Sequence, residues 1–362
     1  MKCCMRLFLK NMLLLISLAG LLCGCAGPAT KYERAGVAMG TTVGLTIYAP
    51  AGEAEELADQ VQDLLDETEQ ELSWRLQDSQ ISRINASAGK QEGYDLSGEL
   101  AEHLHLLWQV SEDSDGAFDL TIAPVVRLWD IDRWALEDAE HLTGEIVPDK
   151  AQVAQKLTLT GYERVRFDEG SEDETQGAGE RIYLPEGYML DLGAAGKGLA
   201  CDRVLALLEG RLQGQTGDPA ARGAILSLGG NILTYGSKPD GSAWKVGITD
   251  PENPGDYLGV LTLTGTNFVT TSGDYERYVE VDGARYHHII DPATGYPADS
   301  GVRSVTILSD RGMLGDALST ACFVLGAEKG MQLAAKYDVE ILMVTDDGEL
   351  VMSEGMKKVF TR

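Results

Sequence analysis

Hydrophobic positions change period several times along the chain, and each change marks an element. From Val37 to Tyr48 apolar and β-branched residues mostly alternate with small or polar ones, which predicts a half-buried strand. Met39-Gly40-Thr41 interrupts it, either where a ligand approaches backbone or as a β-bulge. Between Glu53 and Leu72 the period lengthens, and Leu57, Val61, Leu64, Leu65 and Leu72 fall on one helical face. A second helix, about Gly98 to Ser111, buries Leu100, Leu104, Leu107 and Trp108. Strands are expected at Arg181–Leu184, Tyr188–Leu192, Ile225–Leu228, Trp244–Ile248 and Thr270–Tyr278, with a helix at Leu199–Leu208. Tyr278–Val281 and Arg285–Ile290 flank Asp282-Gly283 as a hairpin. A helix ended by Gly326, another over Glu328–Tyr337, and a hairpin of Glu340–Thr345 with Leu350–Val359 complete the pattern. Asp130–Pro148 reads as a polar insertion and Asp168–Glu180 as a hairpin tip. No internal repeat or Pro/Ser-rich linker divides the chain, so one continuous domain over 36–362 is expected.

Ahead of that domain, Met12 to Leu22 is an apolar run behind Lys2, Arg6 and Lys10, too short to span a bilayer comfortably. Leu22-Cys23-Gly24-Cys25 resembles a bacterial lipobox. Residues 1–24 are therefore expected to be a lipoprotein signal peptide, Cys25 the lipidated first residue, and 25–35 a tether; an uncleaved anchor helix is the other reading. Either way the domain is expected outside the cytoplasm. Cys201 and Cys322 remain as two thiols in helices without metal-ligand spacing, which argues against a disulfide framework. The formal charge is −27, and becomes −30 once the signal's three cations are removed. No basic run survives to track a phosphate backbone, so nucleic acid is excluded as a partner, and membrane contact falls to the lipid.

Three stretches concentrate the chemistry. His287-His288-Ile289-Ile290-Asp291-Pro292-Ala293-Thr294-Gly295-Tyr296-Pro297 holds two of five histidines beside a carboxylate. Pro292 and Gly295 make it a rigid loop with an imidazole at its mouth, suited to accept a proton; a capped surface turn with a packed histidine is the alternative. In Leu190-Asp191-Leu192-Gly193-Ala194-Ala195-Gly196-Lys197-Gly198, three glycines lead from strand to helix. Their backbone N–H groups and Lys197 suit an anion, Asp191 suits a ribose or ring N–H, and a tight corner with an exposed lysine is the alternative. The spacing matches neither a Walker A loop nor Gly-x-Gly-x-x-Gly, so nothing points to ATP hydrolysis. In the third stretch Asp316, Ser319 and Thr320 share one face of the expected first helical turn. Three oxygen donors suit a hard cation such as Mg²⁺; an N-cap aspartate with two packing hydroxyls is the alternative. Trp74 stacks on a ring or packs in the core, and Ala117-Phe118-Asp119 after Gly116 suits the floor of a flat heterocycle.

Taken in order, Met39-Gly40-Thr41, Leu72-Ser73 with Asp78 to Asn85, Gly116 to Thr121, Asp191-Leu192-Gly193 with Lys197-Gly198, Leu228 to Asn231, Thr271 to Tyr275, His288 to Pro297 and Asp316 to Thr320 resemble the ApbE family of FAD:protein FMN transferases. The eight motifs span roughly Val37 to Gly326; Gly196 stands where the family usually has Ala, and the acidic insertion near Glu172 is this chain's own. The resemblance implies an α+β, T-fold-like flavin-transferase domain with mixed or antiparallel sheets and packed helices. It implies Mg²⁺-dependent transfer of the FMN half of FAD to a Ser or Thr hydroxyl of an acceptor protein, releasing AMP. By motif, Met39, Trp74, Ala117, Phe118, Asp119, Asp191, Lys197 and Ile290 would line the FAD site. Ala194 (through its carbonyl), Asp316, Ser319 and Thr320 would hold the metal, and His288 would be the base. Typical acceptors are extracytoplasmic subunits of Rnf or sodium-translocating quinone reductase complexes. An FAD pyrophosphatase using water, or a flavin-binding lipoprotein without turnover, are the rival classes.

Overall fold

The computed structural model describes residues 29–135, 146–168, 180–212 and 222–362. The expected signal peptide, Cys25, His141 and the insertion around Glu172 lie outside them. Alternation builds β1 (Thr30–Ala38) and β2 (Thr41–Ala49), antiparallel with Ala38 opposite Thr41. Met39 and Gly40, at φ 51° and 69°, form the two-residue turn between them. The interruption is thus a hairpin corner and not a bulge within one strand. Because β1 begins at Thr30, the expected tether over 25–35 is folded from there on.

The chain continues through α1 (Ala51–Leu72), α2 (Gln80–Ala86), β3 (Tyr94–Asp95), α3 (Gly98–Asp113), α4 (Ala123–Trp129), α5 (Ile131–Trp134) and α6 (Lys150–Leu157). Then come β4 (Arg166–Asp168), β5 (Arg181–Tyr183), α7 (Gly196–Leu212), β6 (Gly223–Leu228), β7 (Asn231–Gly236), β8 (Trp244–Thr249), β9 (Tyr257–Leu263) and β10 (Asn267–Gly273). The last elements are β11 (Tyr278–Val281), β12 (Ala284–His287), β13 (Val302–Ser309), α8 (Gly312–Lys336), β14 (Glu340–Thr345), β15 (Leu350–Met352), α9 (Glu354–Val359) and β16 (Phe360–Thr361). Four expected strands fall short: Thr270–Tyr278 ends at Gly273 and Arg285–Ile290 ends at His287. Tyr188–Leu192 contributes only a bridge from Met189 to Ile122. Leu350–Val359 turns into α9 after Met352, because the chain leaves the main sheet there to bury Met356 and pair β16 with β9.

The main sheet runs β1-β2-β6-β7-β10-β13-β14-β15, with every neighbouring pair antiparallel. The three long helices α1, α7 and α8 cover one face, and the small sheet β16-β9-β8 covers the other. This α+β arrangement has apolar cores on both sides of the central sheet. A satellite core of Val125, Trp129, Ile131, Val279, Val281 and Ile290 joins α4 and α5 to the hairpin that precedes the histidine loop. Cys201 and Cys322 are buried free thiols.

Candidate active site

The site grows from the crossing of α7 and α8. Gly198 and Gly312 meet there with no room for a side chain: a Cβ on Gly198 would lie 2.2 Å from the Gly312 carbonyl oxygen. That closeness lets Asp316 reach across, where Oδ2 accepts from the Gly198 N–H at 2.9 Å and Oδ1 from Asn231 Nδ2 at 3.2 Å. Lys197 Nζ stands 3.9 Å from Asp316 Oδ1. The glycine turn therefore keeps fewer amides for a ligand than its sequence suggests. Gly193 N–H donates to Asp191 Oδ1, the amides of Ala195 and Gly196 donate to the Leu192 carbonyl, and Gly198 is taken by Asp316. Positive charge for an anion here comes from Lys197. Since the Gly198 N–H bonds Asp316, the Ala194 carbonyl is relieved of its usual i+4 helical donor.

Because α8 starts at Gly312, Asp316, Ser319 and Thr320 stand one turn further in than expected. Ser319 is wholly buried, donates to the Asp316 carbonyl at 2.8 Å and shares a 2.7 Å hydrogen bond with Ser272. It braces the turn. Thr320, half-buried, has only a 3.4 Å contact with Ser272. Beside them Glu276 faces Lys197, Arg277 and Asp316, and enclosure raises its carboxyl.

The histidine loop is rigid for a reason other than a His–Asp pair. Asp291 spends its carboxylate on its own loop, accepting from Ala293 N–H at 2.8 Å and the Thr294 hydroxyl at 3.0 Å. Buried Trp129 donates through Nε1 to the Gly295 carbonyl at 2.7 Å. His287 is structural, with Nε2 on the Ala298 carbonyl at 3.0 Å and its ring against Phe323. His288 differs. Its Nδ1 and its backbone N–H both lie 3.1 Å from the Arg277 carbonyl. That contact fixes the Nδ1–H tautomer and leaves Nε2 as the lone-pair nitrogen. Burial, then the charge of Arg277, pushes the imidazole down to about 3.

From His288 the charges run to the expected flavin residues. Asp132 binds Arg277 Nη1 at 2.7 Å and Arg75 Nη2 at 2.6 Å. The Arg75 guanidinium lies over the Trp74 ring at 4.2 Å, and burial raises the carboxyl of Asp191 nearby. Ala117 and Asp119 line a neighbouring cleft of about 420 Å³ with Asp291 and Pro292. There Asp119 accepts from the Thr121 N–H and hydroxyl, each at 2.7 Å, while burial raises its carboxyl. Met39 packs toward Gly196 at the start of α7. Phe118 and Ile290 are core residues, so what they offer a ligand is backbone. Asp132, Arg277 and Glu276 had no assigned role in the sequence. No spacing signal marks them, since their partners lie across the fold.

These features place a lysine, a buried carboxylate and a tautomer-fixed imidazole on one α+β scaffold. The ApbE family matches residues 39–343. The chain is 35% identical to the FAD:protein FMN transferase of Treponema pallidum (strain Nichols), covering 93% of this chain and 92% of that one. It is 33% identical to a Klebsiella pneumoniae (strain 342) protein of the same description, with 91% and 94% covered. The crystal structure of the ApbE protein from Thermotoga maritima superposes with TM-score 0.77 at 29% identity, covering 92% of this chain and all of that one. The flavin transferase ApbE from Vibrio cholerae superposes at 0.73 with 27% identity over 92% of this chain and all of that one. The chain belongs to the ApbE family. Its enzyme class is FAD:protein FMN transferase.

Proposed function

We propose that this enzyme joins the FMN half of FAD to a Ser or Thr hydroxyl of an acceptor protein, releases AMP, and uses Mg²⁺. The observation that carries the reading is His288. Its tautomer is fixed by the carbonyl of Arg277, which leaves Nε2 as the lone-pair nitrogen, and Arg277 follows Glu276, whose carboxyl faces Lys197 and Asp316.

Among the described residues no group of three or more His, Cys, Asp or Glu gathers for a metal. The donors here are of another kind. Each Asp316 oxygen accepts one N–H and keeps a lone pair, Thr320 offers a weakly engaged hydroxyl, and the Ala194 carbonyl is relieved of its helical partner. One carboxylate with neutral oxygens fits a hard cation that retains waters and phosphate oxygens. Bound there, Mg²⁺ supplies neutralisation of the diphosphate and of the charge developing on phosphorus.

The chain's own residues do the rest. Lys197 attracts the diphosphate, and Trp74 with Asp191 orients the ring system. The acceptor hydroxyl gives its proton to His288 Nε2 as its oxygen bonds the FMN phosphorus. The bond to the AMP phosphate breaks, and AMP leaves with the electron pair. The incoming diphosphate offsets Arg277 and raises the proton affinity of His288 as the base is needed.

We infer that the enzyme works outside the cytoplasm, tethered by a lipid at Cys25, on an extracytoplasmic subunit of an Rnf or quinone-reductase type complex; the lipobox supports this. The test incubates a candidate acceptor domain with enzyme, FAD and Mg²⁺ and reads intact mass. A gain equal to phosphoester-linked FMN, with AMP released, is expected. Free FMN with an unmodified acceptor would decide for hydrolysis. His288→Ala should bind FAD normally and lose roughly 10²–10⁴ in transfer rate.

A further inference from the structure

We propose that Asp132 of α5 is a positioning residue for this reaction, holding Arg277 and Arg75 together so that the Arg277 carbonyl keeps His288 aimed with Nε2 free. The inference rests on the transferase reading of the site.

The geometry is that of a divided carboxylate. Oδ1 accepts from Arg277 at 2.7 Å and Oδ2 from Arg75 at 2.6 Å, so each guanidinium has its own oxygen. Both arginines hold other site groups. Arg75 covers the Trp74 ring and reaches Asp130 at 3.7 Å. Arg277 contributes the carbonyl that takes both the ring and the backbone N–H of His288. One carboxylate on a four-residue helix thereby links the residue expected to stack on flavin to the residue expected to take the proton. An isolated surface pair would contribute little, but this one constrains two ligand-facing side chains at once.

The charges agree with the geometry. The charged groups facing His288 are Arg277 and Asp132, with His287 beside it on β12; those facing Asp132 are Arg75, Arg277 and His288. Asp132 also lies within range of Asp191. Burial works against the Asp132 carboxylate, yet Arg277 and Arg75 hold it below the ordinary range, so it remains charged. Arg277 disfavours a protonated His288 and Asp132 favours one. Removing the Asp132 charge makes His288 a weaker base. It also frees two guanidiniums for an anionic substrate.

Those consequences oppose each other in the kinetics, which a merely structural role would not produce. Wild type, Asp132→Asn and Asp132→Glu are compared with FAD and Mg²⁺, following AMP release, acceptor mass and FAD affinity by flavin fluorescence without metal. Asp132→Asn should bind FAD as tightly as wild type or more tightly, while kcat falls about tenfold, a part of what a positioned base supplies. The acid limb of its pH–rate profile should move to lower pH, and Asp132→Glu should recover most of the rate. Unchanged kcat and pH profile in Asp132→Asn would overturn the proposal. So would parallel loss of FAD affinity and thermal stability without rescue by Glu. AMP release reads Asp132 whichever nucleophile is used, whereas an unmodified acceptor with wild-type enzyme counts against the transferase reading alone.

Discussion

The closest approach of backbone to backbone in the site gives the sharpest prediction. In Gly198→Ala the new methyl would meet the Gly312 carbonyl oxygen at 2.2 Å, its carbon at 2.5 Å and Asp316 Cβ at 2.8 Å. Two of those atoms are main chain, so no rotamer change relieves the clash, and α7 and α8 must part by roughly 1 Å to restore contact distance. Overpacking typically costs about 1–3 kcal/mol, and a backbone collision belongs at the upper end. At roughly 2–4 °C per kcal/mol for a chain of this size class, Tm should drop by at least about 6 °C. Activity should fall further than stability, because the separation stretches the Gly198–Asp316 bond and moves Lys197 from Asp316. Gly210→Ala is the control on the same helix. Nothing lies within 4 Å of its Cβ, and replacing an interior helical glycine should add about 0.5–1 kcal/mol. Differential scanning fluorimetry and the acceptor mass assay read both. A Gly198→Ala enzyme with wild-type Tm and rate would show that the crossing is not as tight as described, and the route to the Asp316 geometry would fail with it.

Three further outcomes follow from the same contacts. His288 titrates near 3 when folded and about 6.5 when unfolded, so the unfolded chain takes up a proton that the native one refuses. Its contribution is complete above pH 6.5 and is lost as pH falls toward 3; urea midpoints at pH 7.5, 6 and 5 should decline less steeply in His288→Asn, and equal slopes would count against a neutral His288. Asp316→Ala should weaken the Mg²⁺ dependence of FAD binding measured calorimetrically, and an unchanged titration would remove Asp316 from the metal site. Trp129→Phe leaves the Gly295 carbonyl without its 2.7 Å donor, at a cost of about 1–3 kcal/mol in denaturant unfolding, with a matching loss of transfer because that loop carries His288; wild-type stability would mean the bond contributes nothing.

Much of this molecule is legible from periodicity. The long helix over Ala51–Leu72, the Asp282-Gly283 hairpin and the glycine corner that opens the helix at Gly196 each follow from neighbours within a few residues, where propensity and turn chemistry act. The same local logic misjudged the ends. Met39-Gly40 read as an interruption because the pattern on either side belongs to two strands that pair, and Leu350–Val359 read as one strand because the switch between sheets leaves no mark on alternation.

By itself the sequence determined which residues could carry the chemistry: His288, Lys197, Asp316 and Trp74 stand in stretches whose composition suits a base, an anion site, a hard cation and a ring. Only the tertiary structure decided how they are partnered. Asp316 takes an amide 118 residues away, and Asp132 joins Arg75 to Arg277 across 57 and 145 residues. Such bonds depend on how helices and sheet pack, and no local propensity encodes a distance between segments that meet only when the chain is folded.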